Sequence, residues 1–204
     1  MKQITQENSQ NIHWIGDFLL SYQKVFNDKH SINTLAGYSV EENTWENLWG
    51  RRGGTPNNTI RFLDAGDPLT SVNGNGYSDW AFISTFAQLS YTFNEKYTLS
   101  GVVRRDGTSR LANGTKYGTF PSLSAAWRIS NEEFMQNIGW LSELKLRASW
   151  GRVGNVQSVS TYGTSASLAQ WNYHLNQQPV IGYTLADAVN TDLIWESTTK
   201  KNMG

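Results

Sequence analysis

AFISTFAQLSYTFN, residues 81–94, is the stretch of sequence that decides the fold class. One face of an extended chain here carries Ala81, Ile83, Thr85, Ala87, Leu89, Tyr91 and Phe93, and the other carries Phe82, Ser84, Phe86, Gln88, Ser90, Thr92 and Asn94. Successive side chains of a β-strand point to opposite faces, whereas helical spacing would mix these two sets. The stretch therefore predicts a long β-strand with one apolar face and one mixed to polar face.

The same two-residue period recurs along the chain and predicts about seven strands. It is sharpest after residue 143, where one face reads Leu144, Leu146, Ala148 and Trp150 and the other reads Lys145, Arg147, Ser149 and Gly151. The remaining predicted strands cover residues 12–25, 31–41, 97–106 and 116–130, with a final strand starting near residue 193.

The links between the predicted strands alternate between short and long. The short or moderate links are residues 26–30, 94–96 and 131–143, and the long links are residues 42–80, 107–115 and 154–192. Loops of roughly forty residues are rare in compact soluble domains, but they are normal on the outer rim of a membrane barrel. The pattern predicts an all-β fold of antiparallel up-and-down transmembrane β-barrel strands, a partial barrel of about seven strands with long extracellular loops.

Composition agrees with strands that have one apolar and one polar face. The chain is 17% charged and 38% hydrophobic, with nine Trp, nine Tyr and eight Phe. Its formal net charge is zero, which gives no electrostatic attraction to nucleic acid. It has no cysteine, which excludes disulfides, thiolate metal sites and a cysteine nucleophile.

The two ends of the sequence predict that it is part of a longer protein. MKQITQENSQ is polar and has no apolar signal-peptide core, and LIWESTTKKNMG runs into an alternating pattern. No window of about 18 apolar residues predicts a membrane-spanning helix.

No constellation of residues predicts catalysis, a metal site or a cofactor. The histidines His13, His30 and His174 share no ligand spacing. There is no G-x-S-x-G elbow, and the glycine cluster at residues 50–54 lacks the Gly-Lys-Ser/Thr ending of a phosphate-binding loop.

Aromatic residues in the predicted loops give the most specific binding hypothesis. The first of these loops contains Trp45, Trp49, Tyr77 and Trp80. The second contains Trp171 and Tyr173. Their rings can stack on the sugar rings of a substrate, and the alternative is that they pack within the loops.

Three consecutive motifs resemble one protein family. YTLSGVVRRDGTSR at 97–110, KYGTFPSLSAAWRISNEEFM at 116–135 and LSELKLRASWGRVGN at 141–155 look like consecutive strands of SusC-like, or RagA-like, TonB-dependent receptors. DKHSINTLAGYS at 28–39 and NTDLIWESTTKKNMG at 190–204 resemble flanking strands of the same barrels. The loops at 42–80 and 157–190 match least.

The resemblance implies a role in nutrient import, with no enzymatic activity. Such receptors import oligosaccharides or peptides through a barrel of about 22 strands in the outer membrane of Gram-negative, Bacteroidetes-type cells. They contain a plug, couple to TonB and work beside a SusD-like surface lipoprotein, in contact with outer-membrane lipid. Residues 1–204 are then expected to be part of the barrel domain. The plug and the remaining strands are expected to lie outside the sequence, so that the segment alone is not competent for transport.

Two other readings of the pattern stay open from sequence. One is a soluble all-β carbohydrate-binding module of a secreted protein, and the weaker one is the barrel of an adhesin or autotransporter. Strand length distinguishes a membrane barrel from a soluble module. Membrane strands need about 9–11 residues, whereas strands in globular proteins average about 5–6 residues.

Overall fold

The computed structural model of the chain describes residues 2–57, 59–135, 138, 140–186 and 188–204. Within these ranges the regular structure is β-strand with short 3-10 turns, which confirms the all-β prediction. The strands are β1 (Gln3–Phe26), β2 (His30–Gly53), β3 (Val72–Phe93), β4 (Tyr97–Thr108), β5 (Tyr117–Arg128), β6 (Lys145–Asn155), β7 (Leu168–Leu175), β8 (Gln178–Leu185) and β9 (Glu196–Met203). The 3-10 turns are Leu63–Ala65, Pro68–Thr70, Ile129–Asn131 and Glu133–Met135. No helix in the described ranges has the length and hydropathy needed to span a bilayer.

The main sheet has seven strands in the order β1-β2-β3-β4-β5-β6-β9. Its neighbours follow one another along the chain, apart from the separate antiparallel pair β7–β8 inserted before β9. The pairs β3–β4, β4–β5, β5–β6 and β6–β9 are antiparallel, which is the predicted up-and-down connectivity. The chain falls into two compact units, Met1–Ile15 with Glu41–Ala81, and Gly16–Val40 with Phe82–Gly204.

Tight turns join the strands at the predicted short links. Asn27 and Asp28 in one turn, and Asn94 and Glu95 in the next, have φ between +48° and +56°. Hairpin turns of the primed type need two such residues in succession, and Asn tolerates this conformation better than most side chains. The link at 131–143 holds the turn Glu133–Met135, and its Gln136, Asn137 and Gly139 lie outside the described residues.

One predicted long link is shorter than expected, and another contains strands of its own. β1 and β2 have 24 residues each and β3 has 22, so β2 and β3 take up much of 42–80 and leave 54–71 between them. The link 154–192 was expected to show little strand pattern, but it contains the hairpin β7–β8. These strands were missed because the added residues are polar on both faces, or lie within a segment rich in turn residues, so that the apolar period is weak.

One face of the second unit is apolar and exposed. Leu89, Leu99 and Leu123 are 53%, 59% and 58% exposed. The opposite face is lined with hydroxyl pairs, such as Ser90 with Ser100, whose oxygens lie 2.8 Å apart. A soluble sandwich buries its apolar face between two sheets, whereas a barrel strand presents this face to lipid. The soluble module is therefore not supported.

Aromatic and charged side chains bound this apolar face at both ends. At the short-turn rim the rings of Tyr97 and Trp127 stack with centroids 6.3 Å apart. Toward the other rim the Arg105 guanidinium lies 4.9 Å from the ring centroid of Tyr117. The eight residue-to-residue steps from Tyr97 to Arg105 span about 27 Å along the strand, or about 21 Å along the membrane normal at a tilt of about 40°. This is close to the apolar band of about 25 Å in membrane barrels.

Glu132 forms hydrogen bonds with the aromatic residues of the short-turn rim. Its carboxylate accepts hydrogen bonds from Lys96 Nζ at 2.9 Å, Tyr97 Oη at 2.7 Å and Trp127 Nε1 at 3.0 Å. The bond from Lys96, followed by those from the two aromatic side chains, lowers the pKa of Glu132 from its ordinary 4.5 to about 2. The turn after β5 is thereby tied to the start of β4.

A small core packs at the long-loop end of the second unit. Leu111, Val156 and Val159 are buried together, with Phe82, Leu193 and Trp195 packed against them. Trp195 Nε1 donates a hydrogen bond to the Lys116 carbonyl oxygen at 3.0 Å, and its ring meets Phe120 edge-on with centroids 5.3 Å apart. The links after β4 and β6 and the residues before β9 thus share one apolar cluster.

Candidate functional site

The predicted stacking aromatics lie on strands, although loops were expected. Trp45 and Trp49 lie on β2, Tyr77 and Trp80 on β3, and Trp171 and Tyr173 on β7. The loop placement was wrong because β2 and β3 continue through residues with no apolar period. A strand fixes the side chains more firmly than a loop does, which favours a preformed binding surface.

Trp45 and Trp49 pack against two glycines of the neighbouring strand. A Cβ atom on Gly74 would lie 2.8 Å from Cε2, Cζ2 and Nε1 of Trp49, and one on Gly76 would lie 2.8 Å from Cζ3 of Trp45. Three equal distances to Trp49 mean that its indole lies over Gly74, whereas Trp45 meets Gly76 with the Cζ3–Cη2 edge of its ring. The Trp45 indole is also held by its Nε1, which donates a hydrogen bond to Ser9 Oγ at 3.0 Å. Glycine is needed at both positions because any side chain would lift the ring.

Trp80 shares the face of the sheet that carries Trp45 and Trp49. Its ring centroid lies 5.9 Å from that of His13, whose Nε2 lies 2.8 Å from Glu41 Oε1. We call this side of the first unit, defined by Trp45, Trp49 and Trp80, the tryptophan face. Strand alternation places Tyr77 on the opposite face, where its side chain is 54% exposed. The structure thus brings three of the four predicted residues of this unit to one face.

The remaining two candidate aromatics lie on the hairpin β7–β8 of the second unit. Trp171 pairs with Gly182 and Tyr173 with Val180, and the Tyr173 ring lies across Gly182. Trp171 is 61% exposed and Tyr173 is 50% exposed. The turn of this hairpin uses Asn176 and Gln177, both with positive φ.

The Trp49 indole, held over Gly74, is suited to ring stacking. One ring face is covered by the strand, and the other is directed away from it. The negative face of an aromatic ring attracts the partly positive C–H groups of a sugar, or the edge or face of another ring. Trp45 remains 37% exposed, so its ring is accessible as well as fixed.

The opposite side of the same three strands carries a feature that sequence reasoning missed. Gln6, Asn8 and Gln10 of β1 and Asn73 and Asn75 of β3 flank Leu48 of β2, and we call this surface the amide groove. It forms two open cavities of about 960 and 410 Å³. The available signal was the alternation of amides at every second position, in segments that have no apolar period.

In the part of the chain that the structure describes, no three His, Cys, Asp or Glu side chains converge as metal ligands.

Comparison with known proteins agrees with this architecture. Residues 3–204 match the model of the family described as TonB dependent receptor-like, beta-barrel. TonB-dependent receptor P26 of Formosa agariphila is 36% identical over 187 residues, which cover 91% of this chain and 19% of that protein. TonB-dependent receptor SusC of Bacteroides thetaiotaomicron is 33% identical over 132 residues, which cover 60% of this chain and 12% of that protein. The chain spans about a fifth or less of the length of these curated relatives.

Solved structures show the same fold. The RagAB peptide importer in its closed-closed state superposes with a TM-score of 0.89 at 23% identity, covering 98% of this chain and 22% of that one. The open-open state gives a TM-score of 0.88 at 24% identity, covering 99% of this chain. The family match, the antiparallel seven-stranded sheet and the exposed apolar band lead to one conclusion: the chain belongs to the TonB-dependent receptor-like β-barrel family and is of the SusC/RagA type.

Proposed function

We propose that residues 1–204 form part of the β-barrel domain of an outer-membrane receptor that imports oligosaccharides or peptides. The exposed apolar face of the second unit faces outer-membrane lipid, and the polar face of the same strands lines the interior. Energy for import comes from TonB, and a SusD-like surface lipoprotein captures substrate together with the receptor. The segment works only together with the plug and the remaining strands, and it performs no chemistry on the substrate.

The observation that carries the substrate proposal is the packing of Trp45 and Trp49 against Gly76 and Gly74. These two rings, with Trp80 on the same face, form a fixed platform for the sugar rings of an oligosaccharide. Trp171, Tyr173 and Tyr77 are further stacking residues in this proposal. Aromatic platforms of this kind need no charge on the ligand, so a neutral oligosaccharide fits best.

Removing the two indoles tests the platform. In the full-length receptor, Trp45→Ala with Trp49→Ala is expected to weaken oligosaccharide binding by about tenfold or more, since each ring stacked on a flat partner contributes roughly 1 kcal/mol or more. Isothermal titration calorimetry against a maltooligosaccharide series and a peptide series measures the change. Trp14→Ala is the matched control, because Trp14 lies on the same unit with its Nε1 bonded to Glu42 on the other face.

Each result has a separate meaning. Weaker binding in the double variant with unchanged binding in Trp14→Ala supports the platform. Unchanged oligosaccharide affinity in the double variant would refute the stacking platform. Substrate uptake by cells carrying the unmodified receptor tests the import proposal separately.

A further inference from the structure

Three polar side chains interrupt the exposed apolar face of the second unit near its long-loop rim. They are Thr85 on β3, Arg105 on β4 and Thr119 on β5, and all three are exposed. The register places Arg105 directly opposite Thr85 on one side and directly opposite Thr119 on the other. Residues directly opposite in an antiparallel pair share a face, with Cβ atoms about 4.5–5.5 Å apart. The three side chains therefore form one row across three strands, which we call the Arg105 row.

The Arg105 row lies at the outer edge of the apolar band. Strand alternation places Arg105 on the same face as Val103, which is 47% exposed and pairs with Ala87. Arg105 lies about 21 Å from Tyr97 along the membrane normal, and the apolar band of a membrane barrel is about 25 Å thick. An arginine that faces lipid is costly at the midplane, but its cost becomes small near the interface. This level is that of the outer-leaflet headgroups, which rests on the proposed function, with this face in lipid and the long links outside.

Arg105 differs from the neighbouring Arg104 in having no carboxylate partner. Arg104 lies on the opposite face, where its Nε is 2.6 Å from Asp106 Oδ1 and its Nη2 is 2.9 Å from Ser84 Oγ. Among the residues that the structure describes, the Arg105 side chain has no ion pair and no hydrogen bond. Its guanidinium lies 4.9 Å from the ring centroid of Tyr117, a contact that fixes the cation without pairing it with an anion. The charge and the N–H donors of Arg105 are therefore available to a ligand.

A phosphate group matches the donors of this row. A guanidinium binds phosphate through two parallel N–H···O bonds, and each threonine hydroxyl can donate one further bond. Phosphate has oxygens left for Thr85 and Thr119, whereas both oxygens of a carboxylate are already used by the guanidinium. Because apolar residues such as Val103 lie directly below the row, a ligand at this depth also needs an apolar part. A lipid with a phosphate headgroup has both parts.

We propose that the Arg105 row binds the phosphate headgroup of an outer-leaflet lipid of the lipid A class, in which phosphate is attached to an acylated sugar. Arg105 pairs with the phosphate, and the hydroxyls of Thr85 and Thr119 donate to its remaining oxygens. The acyl chains lie along the apolar band over Val103. This site is on the outside of the barrel wall, so it takes no part in substrate binding. A bound headgroup holds this part of the wall at the level of the outer leaflet.

The test measures binding of monophosphorylated lipid A to the delipidated full-length receptor in detergent by native mass spectrometry. Arg105→Gln is expected to weaken binding by about tenfold or more, because hydrogen bonds to a charged group are lost. The matched control is Arg104→Gln, which removes the same charge one residue away on the opposite face. The control variant should keep its affinity for lipid A.

The two threonine hydroxyls are tested by a change that preserves side-chain shape. Thr85→Val with Thr119→Val is expected to weaken lipid A binding severalfold, because each neutral hydrogen bond makes a modest contribution. Thr92→Val with Thr98→Val is the matched control, since these two hydroxyls lie 3.1 Å apart on the polar face. The control pair should leave the affinity unchanged.

The lipid itself supplies a measurement that does not depend on the folding of a variant. Lipid A without its phosphate keeps the same acyl chains, and it is expected to bind the unmodified receptor about tenfold more weakly, since the ligand of Arg105 is gone. Inorganic phosphate is another source of the same chemistry. At millimolar concentration it should not displace lipid A, because it has no acyl chain to lie along the apolar band.

Three results would overturn the proposal. They are equal affinity for lipid A with and without its phosphate, equal losses in Arg105→Gln and Arg104→Gln, and displacement of lipid A by millimolar inorganic phosphate. The last result would assign the row to a free anion. Maleimide labelling of Leu123→Cys tests the lipid-facing wall separately. If Leu123→Cys is protected, any of the three results refutes the headgroup site alone, whereas a labelled Leu123→Cys refutes the wall on which this site rests.

Discussion

Replacing Leu123 with arginine should destabilise the barrel strongly, because Leu123 lies in the middle of the lipid-facing band. Leu123 is on β5, pairs with Gly101 of β4 and Trp150 of β6, and is 58% exposed. In water an exposed leucine tolerates substitution with changes within about 0.5 kcal/mol. In lipid the same position excludes charge. The two environments therefore predict very different results for one variant.

The depth of Leu123 in the bilayer determines how strongly Leu123→Arg destabilises the barrel. It lies four residues from Trp127 along the strand, or about 14 Å, which is about 10 Å along the membrane normal at a tilt of about 40°. That depth is close to the midplane of an apolar band about 25 Å thick, where an arginine facing lipid costs about 2–4 kcal/mol. The equilibrium constant for folding should fall by roughly 30- to 700-fold.

The assay is reversible unfolding of the full-length receptor in phospholipid vesicles with guanidinium chloride. The control is Ser124→Arg, since Ser124 points to the polar face and pairs with Ser100 and Ser149. The control should change the free energy of unfolding by less than about 1 kcal/mol. A Leu123→Arg effect no larger than the control effect would refute the assignment of this face to lipid.

Two further predictions concern the two rims. Because the pKa of Glu132 is lowered in the folded state, its stabilising effect is present above about pH 4.5 and is lost as the pH falls toward 2. Thermal unfolding followed across this range should therefore show a weaker acid dependence in Glu132→Gln than in the matched control Glu133→Gln, and identical profiles would contradict the role of the hydrogen bonds to Glu132. At the other rim, Phe120→Ala should cost about 3–5 kcal/mol, since Phe120 is 8% exposed and packs on Trp195. Limited proteolysis should then cut the long links faster, and an unchanged cleavage rate would refute the shared core.

The strands of the second unit were predictable because lipid and the interior impose opposite demands on alternate residues. The predicted ranges 97–106 and 116–130 compare with Tyr97–Thr108 and Tyr117–Arg128 in the structure. The outer parts of β1 and β2 were not predictable in this way, because residues such as Gln3 to Asn11 are polar or exposed on both faces. Where both faces meet water, the apolar period disappears while the backbone hydrogen bonds persist.

The hairpin β7–β8 has an alternating pattern of apolar and polar residues, but the neighbouring residues are rich in glycine and serine and obscured this pattern. Asn176 and Gln177 form the turn, and Trp171, Tyr173 and Leu175 alternate with polar residues before it. The candidate aromatic residues were chosen by residue type, and the sequence did not predict that Trp45 and Trp49 pack against glycines. That placement depends on the pairing of β2 with β3, which is a non-local property.

The most direct test of the lipid-facing wall is to measure on which side of the membrane single cysteines can be labelled. The segment contains no cysteine, so none of its own residues contributes background labelling. Lys29→Cys lies in the turn between β1 and β2, Asn172→Cys lies on β7, and Leu123→Cys lies in the apolar band. Intact cells expressing the full-length receptor are treated with a membrane-impermeant maleimide. If the apolar band faces lipid, Asn172→Cys is labelled on intact cells, Lys29→Cys is labelled only after the outer membrane is opened, and Leu123→Cys is protected in both conditions. Labelling of Lys29→Cys on intact cells, or of Leu123→Cys in either condition, would contradict the lipid-facing wall.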